Sequence, residues 1–120
     1  MKKRIILLTK AMLQLNNEAM DRHISIMEGQ SAGYDFFEVV KPAVDEADRL
    51  TAEWKALVLK WIQLEKPKYI YPIQIETTID HFEQLILQSY FPDLKKKRFK
   101  NMKESNEYIF NNILTEIEGD

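Results

Sequence analysis

The chain has no cysteine in 120 residues, and only three glycines and four prolines. Without thiols there is no disulfide, zinc knuckle, iron–sulfur cluster or thiol nucleophile. Gly29, Gly33 and Gly119 stand too far apart to build a Walker loop, a dinucleotide-binding fingerprint or a nucleophile elbow. No window approaches the roughly 20 apolar residues that span a bilayer. The segment Met1-Lys2-Lys3-Arg4, followed by Ile5 to Leu8, resembles the start of a signal peptide. Lys10 then breaks the apolar run and no small-residue cleavage site follows, so a cytoplasmic protein without a membrane segment is expected. Charge of one sign is lacking too. With 17 basic against 19 acidic residues the formal charge is −2, and nothing global invites a polyanion.

What is present is a soluble, globular composition, 45% hydrophobic and 30% charged, of a length suited to one domain over residues 1–120. Helix-breaking residues fall in three clusters: Gly29 with Gly33, Pro67 with Pro72, and Pro92 with Asp93. The intervals between them have helical periodicity, and no strand signal, repeat or low-complexity tract appears. Four helices separated by short connections predict an all-α fold, an up-and-down antiparallel four-helix bundle.

The first helix is expected from about Lys3 to Glu28, with Ile5, Leu8, Met12, Leu15 and Ala19 on its buried stripe and Gly29 as its stop. In the second, Phe36, Val40, Ala43, Ala47, Leu50, Trp54, Leu57, Trp61 and Leu64 alternate at spacings of four and three, the seam of a left-handed bundle. Asp35 and Glu38 form a candidate capping box there. Pro42 should kink this helix, or else mark a restart after Lys41. The third helix begins at Pro72, buries Ile75, Ile79, Phe82 and Ile86, and ends near Phe91. The fourth has Met102, Ile109, Ile113 and Ile117 inward, and an Asn101/Glu104 capping box sets its secure start near Met102. Residues 93–100 are then loop or an earlier turn. Leu50, Trp54, Leu57, Trp61, Ile79, Phe82, Ile86, Ile109 and Ile113 should be largely buried.

Bundles can house two-metal sites, which need inward glutamates and Glu-x-x-His pairs. Met20 and Thr78 occupy the positions three before His23 and His81, and the seams are apolar, so no metal or other cofactor is expected. Each histidine is read as half-exposed and hydrogen-bonded to a neighbour. Asn16 and Asn106 lie on or near buried stripes, where a cross-core hydrogen bond would fix helix register. Trp54 and Trp61, seven apart on one face, read as core volume.

Charge is patterned locally. Lys95, Lys96, Lys97, Arg98, Lys100 and Lys103 form a basic run that holds Phe99, while Asp35, Glu38, Asp45, Glu46, Asp48 and Glu53 form an acidic counterpart. The motifs Tyr34-Asp35-Phe36-Phe37-Glu38, Lys41-Pro42-Ala43-Val44, Pro67-Lys68-Tyr69, Leu87-Gln88-Ser89-Tyr90 and Lys97-Arg98-Phe99-Lys100 resemble, in order and spacing, the YppE-like family of small Gram-positive bacterial proteins. The resemblance covers about Tyr34 to Lys103 and implies an up-and-down four-helix bundle. It carries no catalytic residue and no activity.

With no catalytic constellation, the leading expectation is a non-enzymatic module acting on a protein partner, with no membrane involvement. The alternatives are binding of nucleic acid or another polyanion through residues 95–103, and a small-molecule-binding bundle. Up-and-down topology places the connections after helices 1 and 3 at one end, bringing Tyr34, Asp35, Phe36 and Phe37 towards Lys97, Arg98 and Phe99. Phe99 is expected to cover the far end of helix 2, and Arg98 to pair with Asp35 or Glu38. Tyr34, Asp35, Lys97, Arg98 and Phe99 are thus the candidate binding residues. The bland alternative is that this cluster only closes the bundle end.

Overall fold

The computed structural model describes residues 1–30 and 33–119, and 82% of these are helical. Helix α1 spans Lys2–Met27. A π-helical turn, Phe36–Val40, leads into α2, Lys41–Glu65, followed by α3, Pro72–Gln88, and α4, Lys96–Glu118. No strand occurs among the described residues. Each helix packs on the next, α4 closes back on α1, and across the diagonals α1 approaches α3 while α2 and α4 meet through long side chains in the core. This is the expected all-α four-helix bundle, with extents of 46 × 27 × 21 Å. Among the described residues no helix is long and apolar enough to cross a membrane.

The ends of the elements follow from local chemistry. After α1, Gly29 takes φ +71°, its N–H reaches the Ile26 carbonyl at 3.1 Å, and the Gln30 N–H reaches Ser25 at 2.9 Å. That pair of bonds satisfies two of the orphan carbonyls of the helix, and a positive φ costs glycine nothing. Asp35 caps the next segment: its Oδ1 accepts from the Glu38 N–H at 2.7 Å. The return bond from Glu38 that would complete a capping box is absent. Pro42 neither kinks an α-helix nor follows a break. The Val40 N–H bonds Asp35 and the Lys41 N–H bonds Phe36, both five residues back. This wider turn relieves the clash between the proline ring and the Glu38 carbonyl, and Pro42 then lies in the first turn of α2. Helix α3 starts at Pro72 as expected, with the Gln74 Oε1 accepting from the Tyr71 N–H at 2.8 Å. It stops at Gln88, short of Phe91.

Helix α4 takes the earlier of the two starts left open for it, and the expected cap is not one. It begins at Lys96, so Asn101 and Glu104 lie inside the helix and cap nothing. The driving force is burial: Phe99 is fully enclosed, and helical backbone through residues 96–101 is what turns that ring inward.

The core is built around Trp54, whose ring meets Phe110 edge-on at 5.6 Å, while Phe110 meets Phe82 at 5.9 Å. The Trp54 Nε1–H donates to Thr9 Oγ1 at 2.9 Å, and Thr9 in turn donates to the Ile5 carbonyl. Trp61, Phe82, Ile86, Ile109 and Ile113 are buried as expected, but Leu50, Leu57 and Ile79 are only partly buried. On α2 the enclosed positions are Ala47, Thr51, Trp54, Val58, Trp61 and Ile62. The buried face is therefore rotated by about one position from the seam read in the sequence. At both ends of that seam Phe36 and Leu64 face solvent.

Candidate functional site

Three buried polar residues recur every seven positions along α1: Thr9, Asn16 and His23. Thr9 serves Trp54. Asn16 donates through Nδ2 to the Lys103 carbonyl at 3.0 Å and accepts from Asn106 Nδ2 at 3.1 Å, so the two asparagines tie α1 to α4 in register. His23 differs from both. It is wholly enclosed, and neither ring nitrogen has a hydrogen-bond partner. Its ring lies parallel to that of Phe99 with centroids 4.0 Å apart. Burial first, and then the positive charge of Lys96, hold its pKa below the ordinary imidazole value, which favours the neutral ring. The half-exposed, hydrogen-bonded histidine expected at this position is not what forms. At His81, which is half-buried, Nδ1 also lacks a partner.

Around His23 the end of the bundle is assembled from three segments. The Arg22 Nε–H donates to Ser89 Oγ at 3.0 Å, and Ser89 donates to the Ile86 carbonyl at 2.7 Å. The Arg22 guanidinium lies 4.0 Å from the centroid of the Tyr90 ring, a cation–π contact. Tyr34 meets the same ring edge-on at 5.2 Å. The start of α4 and the residues before α2 are thereby gathered at one end, as the topology predicts. Tyr34 and Phe99 are linked through Tyr90, Arg22 and His23.

Two expected contacts do not form. Phe99 packs on His23 of α1, leaving the turn before α2 uncovered: Phe36 is 48%, Phe37 76% and Val39 39% exposed. Phe36 and Phe37 touch only edge-on, at 5.3 Å. Nor does Arg98 pair with Asp35 or Glu38. One oxygen of the Asp35 carboxylate is committed to capping, and α2 and α4 are diagonal partners, so the acid and the base occupy different corners of the same end. Lys95, Lys96, Lys97 and Arg98 are all exposed, and none makes an ion pair among the described residues. The later half of the run is different: Lys100 lies 3.8 Å from Glu104 and Lys103 2.9 Å from Glu107.

Elsewhere the surface offers less. An open groove of about 190 Å³ between α3 and α4 is lined by Ile73, Gln74, Thr77, Thr78, Ser105 and Ile109, with no charged group. Among the described residues no three His, Asp or Glu side chains converge as a metal ion requires.

The sequence places Tyr34, Phe99 and the basic run at one end of the bundle, and that is where they lie. The buried state of His23 is not expected from it, although the seven-residue spacing from Thr9 through Asn16 is there to be read. Its periodicity also puts Phe36 in the core, where it does not lie.

Comparison with known proteins agrees with this architecture. The uncharacterised protein YppE of Bacillus subtilis is 40% identical over 112 residues, covering 92% of this chain and 89% of YppE. The crystal structure of YppE superposes with a TM-score of 0.95 at 36% identity, covering 99% of this chain and 96% of that one. A protein from Listeria innocua shares the fold at a TM-score of 0.92 and 21% identity, covering 98% and 94%. A family model described as a bacterial domain of unknown function, DUF1798, matches residues 9–117, and the chain belongs to that family.

Proposed function

We propose that this chain is a cytoplasmic, non-enzymatic interaction module, and that its docking surface is the bundle end where α4 begins. The observation that carries this reading is the set of four consecutive cations, Lys95 to Arg98, left without ion pairs at the same end as exposed Phe36 and Phe37. Unpaired charge on the same end as exposed aromatic rings is the composition of a recognition surface: the rings supply area and the cations supply specificity. Arg98 and Lys97 act as charged contacts and Tyr34, half-exposed against Tyr90, as an aromatic anchor. Capture of protein from native extract by wild type and by Arg98→Glu tests the reading. Unchanged helicity with loss of the captured partner supports it; an equal yield of partner from both proteins refutes it.

One observation favours a second reading, polyanion binding. The first backbone N–H groups of α4 have no side-chain cap and are surrounded by Lys96, Lys97 and Arg98, with no acid in that turn. A mobility shift of nucleic acid that weakens steeply with salt supports this alternative. No shift at low salt removes it.

A further inference from the structure

The interaction reading leaves the partner open, and the placement of charge at this end points to one. We infer that the partner is a second copy of this chain, docked end to end about a two-fold axis that runs between the acidic and basic corners, with Lys97 and Arg98 of each copy facing Glu38 and the exposed Phe36–Phe37–Val39 turn of the other. This inference rests on the interaction reading.

Among the described residues, both signs of charge stand without ion pairs at one end of the bundle. Lys95 to Arg98 occupy the corner where α4 begins, and Glu38 occupies the turn before α2. Within one chain they do not meet, because the two elements lie across the bundle diagonal. A two-fold axis lying in the end face exchanges those corners, so each basic corner lands on an acidic one and both pairings form together. That is the self-complementarity an isologous contact demands.

The apolar turn lies in the same end. Phe37, at 76% exposure, is the most exposed large apolar side chain among the described residues, and Phe36 and Val39 stand beside it uncovered. In this two-fold contact the rings of each copy are covered by the basic corner of the other, where a guanidinium or ammonium over an aromatic face adds a cation–π attraction. The opposite end also exposes apolar residues, among them Leu64, Tyr69 and Ile73. There, however, Lys2 and Glu65 are already paired within the chain at 2.8 Å.

Size sets the strength expected. A cross-section of 27 × 21 Å limits each copy to about 600 Å² of end face, so the pair buries about 1,200 Å², the lower edge of specific interfaces. The dimer should be reversible, forming in the micromolar to millimolar range.

Sedimentation equilibrium of the full chain from about 10 μM to about 1 mM, a range that brackets such affinities, tests this. The weight-average mass of wild type should rise from 14.3 kDa towards twice that value, and less steeply in high salt. Phe37→Ser and Arg98→Glu should each hold the monomer mass with unchanged helicity, since both side chains are exposed. Mixing Arg98→Glu with Glu38→Arg should restore association that neither variant shows alone. Wild type that stays at 14.3 kDa throughout overturns the inference. So does a dimer indifferent to Phe37→Ser and to Arg98→Glu. The interaction reading is judged separately. A monomeric wild type whose captured partner is lost on Arg98→Glu contradicts only the second copy. A monomeric wild type whose captured partner survives Arg98→Glu contradicts both.

Discussion

Helices α1 and α4 both open on consecutive basic residues, Lys2-Lys3-Arg4 in one and Lys96-Lys97-Arg98 in the other. Cations at a helix N-terminus oppose the positive end of the macrodipole and the orphan N–H groups there. On α1 the opposition is relieved by α2: Glu65 sits 2.8 Å from the Lys2 ammonium, and Glu53 takes two bonds from the Arg4 guanidinium at 2.5 and 2.7 Å. That bidentate pair raises the pKa of Arg4 and lowers that of Glu53. At the start of α4 no acid answers. Its neighbours there contribute Arg22, Ser89 and Tyr90 instead. Two starts of like composition thus end in different states, and what separates them is the residue the adjacent helix brings alongside. A basic run is a solvated, neutralised face in the first case and an unsatisfied charge in the second.

The largest expected effect concerns what holds the α4 start in place. Phe99→Ala should cost about 3–5 kcal/mol, from lost burial plus the cavity left against His23. Amide exchange should then show the first turn fraying and the protected helix beginning near Met102. Chemical denaturation with a loss under about 1 kcal/mol would mean that burial of Phe99 does not set where α4 begins.

Next come the polar layers that link α1 to α4, where two substitutions of the same kind should differ in sign. Asn16→Leu should destabilise by about 1–3 kcal/mol, because Asn106 then loses its partner in the core. The double variant Asn16→Leu/Asn106→Leu should recover most of that. His23→Phe removes two buried nitrogens that have no partners, so its midpoint in urea should match or exceed that of wild type. A clear loss would reveal a partner for the imidazole.

pH separates the two layers further. The folded-state pKa of His23 is lowered, so below about pH 6.5, the ordinary imidazole value, the unfolded chain takes up a proton that the folded chain resists. This contribution to stability is complete above that pH and is lost as pH falls through the folded value. Glu83 has the opposite sign. Burial and the nearby Asp48 raise its pKa, so its contribution falls as pH rises through the carboxylate range. The difference between wild type and His23→Phe isolates the histidine, and it should widen in favour of the variant as pH drops from 7 towards 5. A constant difference across that interval would show that His23 titrates alike in both states.

The smallest effect belongs to the relieved helix start. Arg4→Gln should barely move the unfolding midpoint, and salt should erase what change there is, since the pair is exposed.

The sequence disclosed the four helices, their order and most of the core. Periodicity reports burial directly, and Gly29 and Pro72 mark local constraints that no tertiary contact overrides. Leu50 and Leu57 were misjudged because Ala47, Trp54 and Trp61 suit either of two buried stripes, one completed three residues on and the other four, and the fold takes the second. That stripe encloses Thr51 and Val58 in place of Leu50 and Leu57. The start of α4 was hidden because Asn101 and Glu104 imitate a cap, while the deciding contact, Phe99 on His23, joins distant segments. Topology placed Tyr34 and Arg98 at one end. The same topology makes α2 and α4 diagonal partners, which is what keeps Arg98 from Glu38 and could have been read from the helix order.

If the charge at the α4 start serves recognition, as proposed, it is carried at a cost in stability. The thermal midpoint of Lys97→Glu/Arg98→Glu, taken at low micromolar concentration where any dimer has dissociated, tests it most directly. Acids in the first turn complement the dipole by about 0.3–1 kcal/mol each, so the account predicts a midpoint several degrees above wild type. A midpoint below wild type would mean that the cations already stabilise the fold within one chain, and would contradict it.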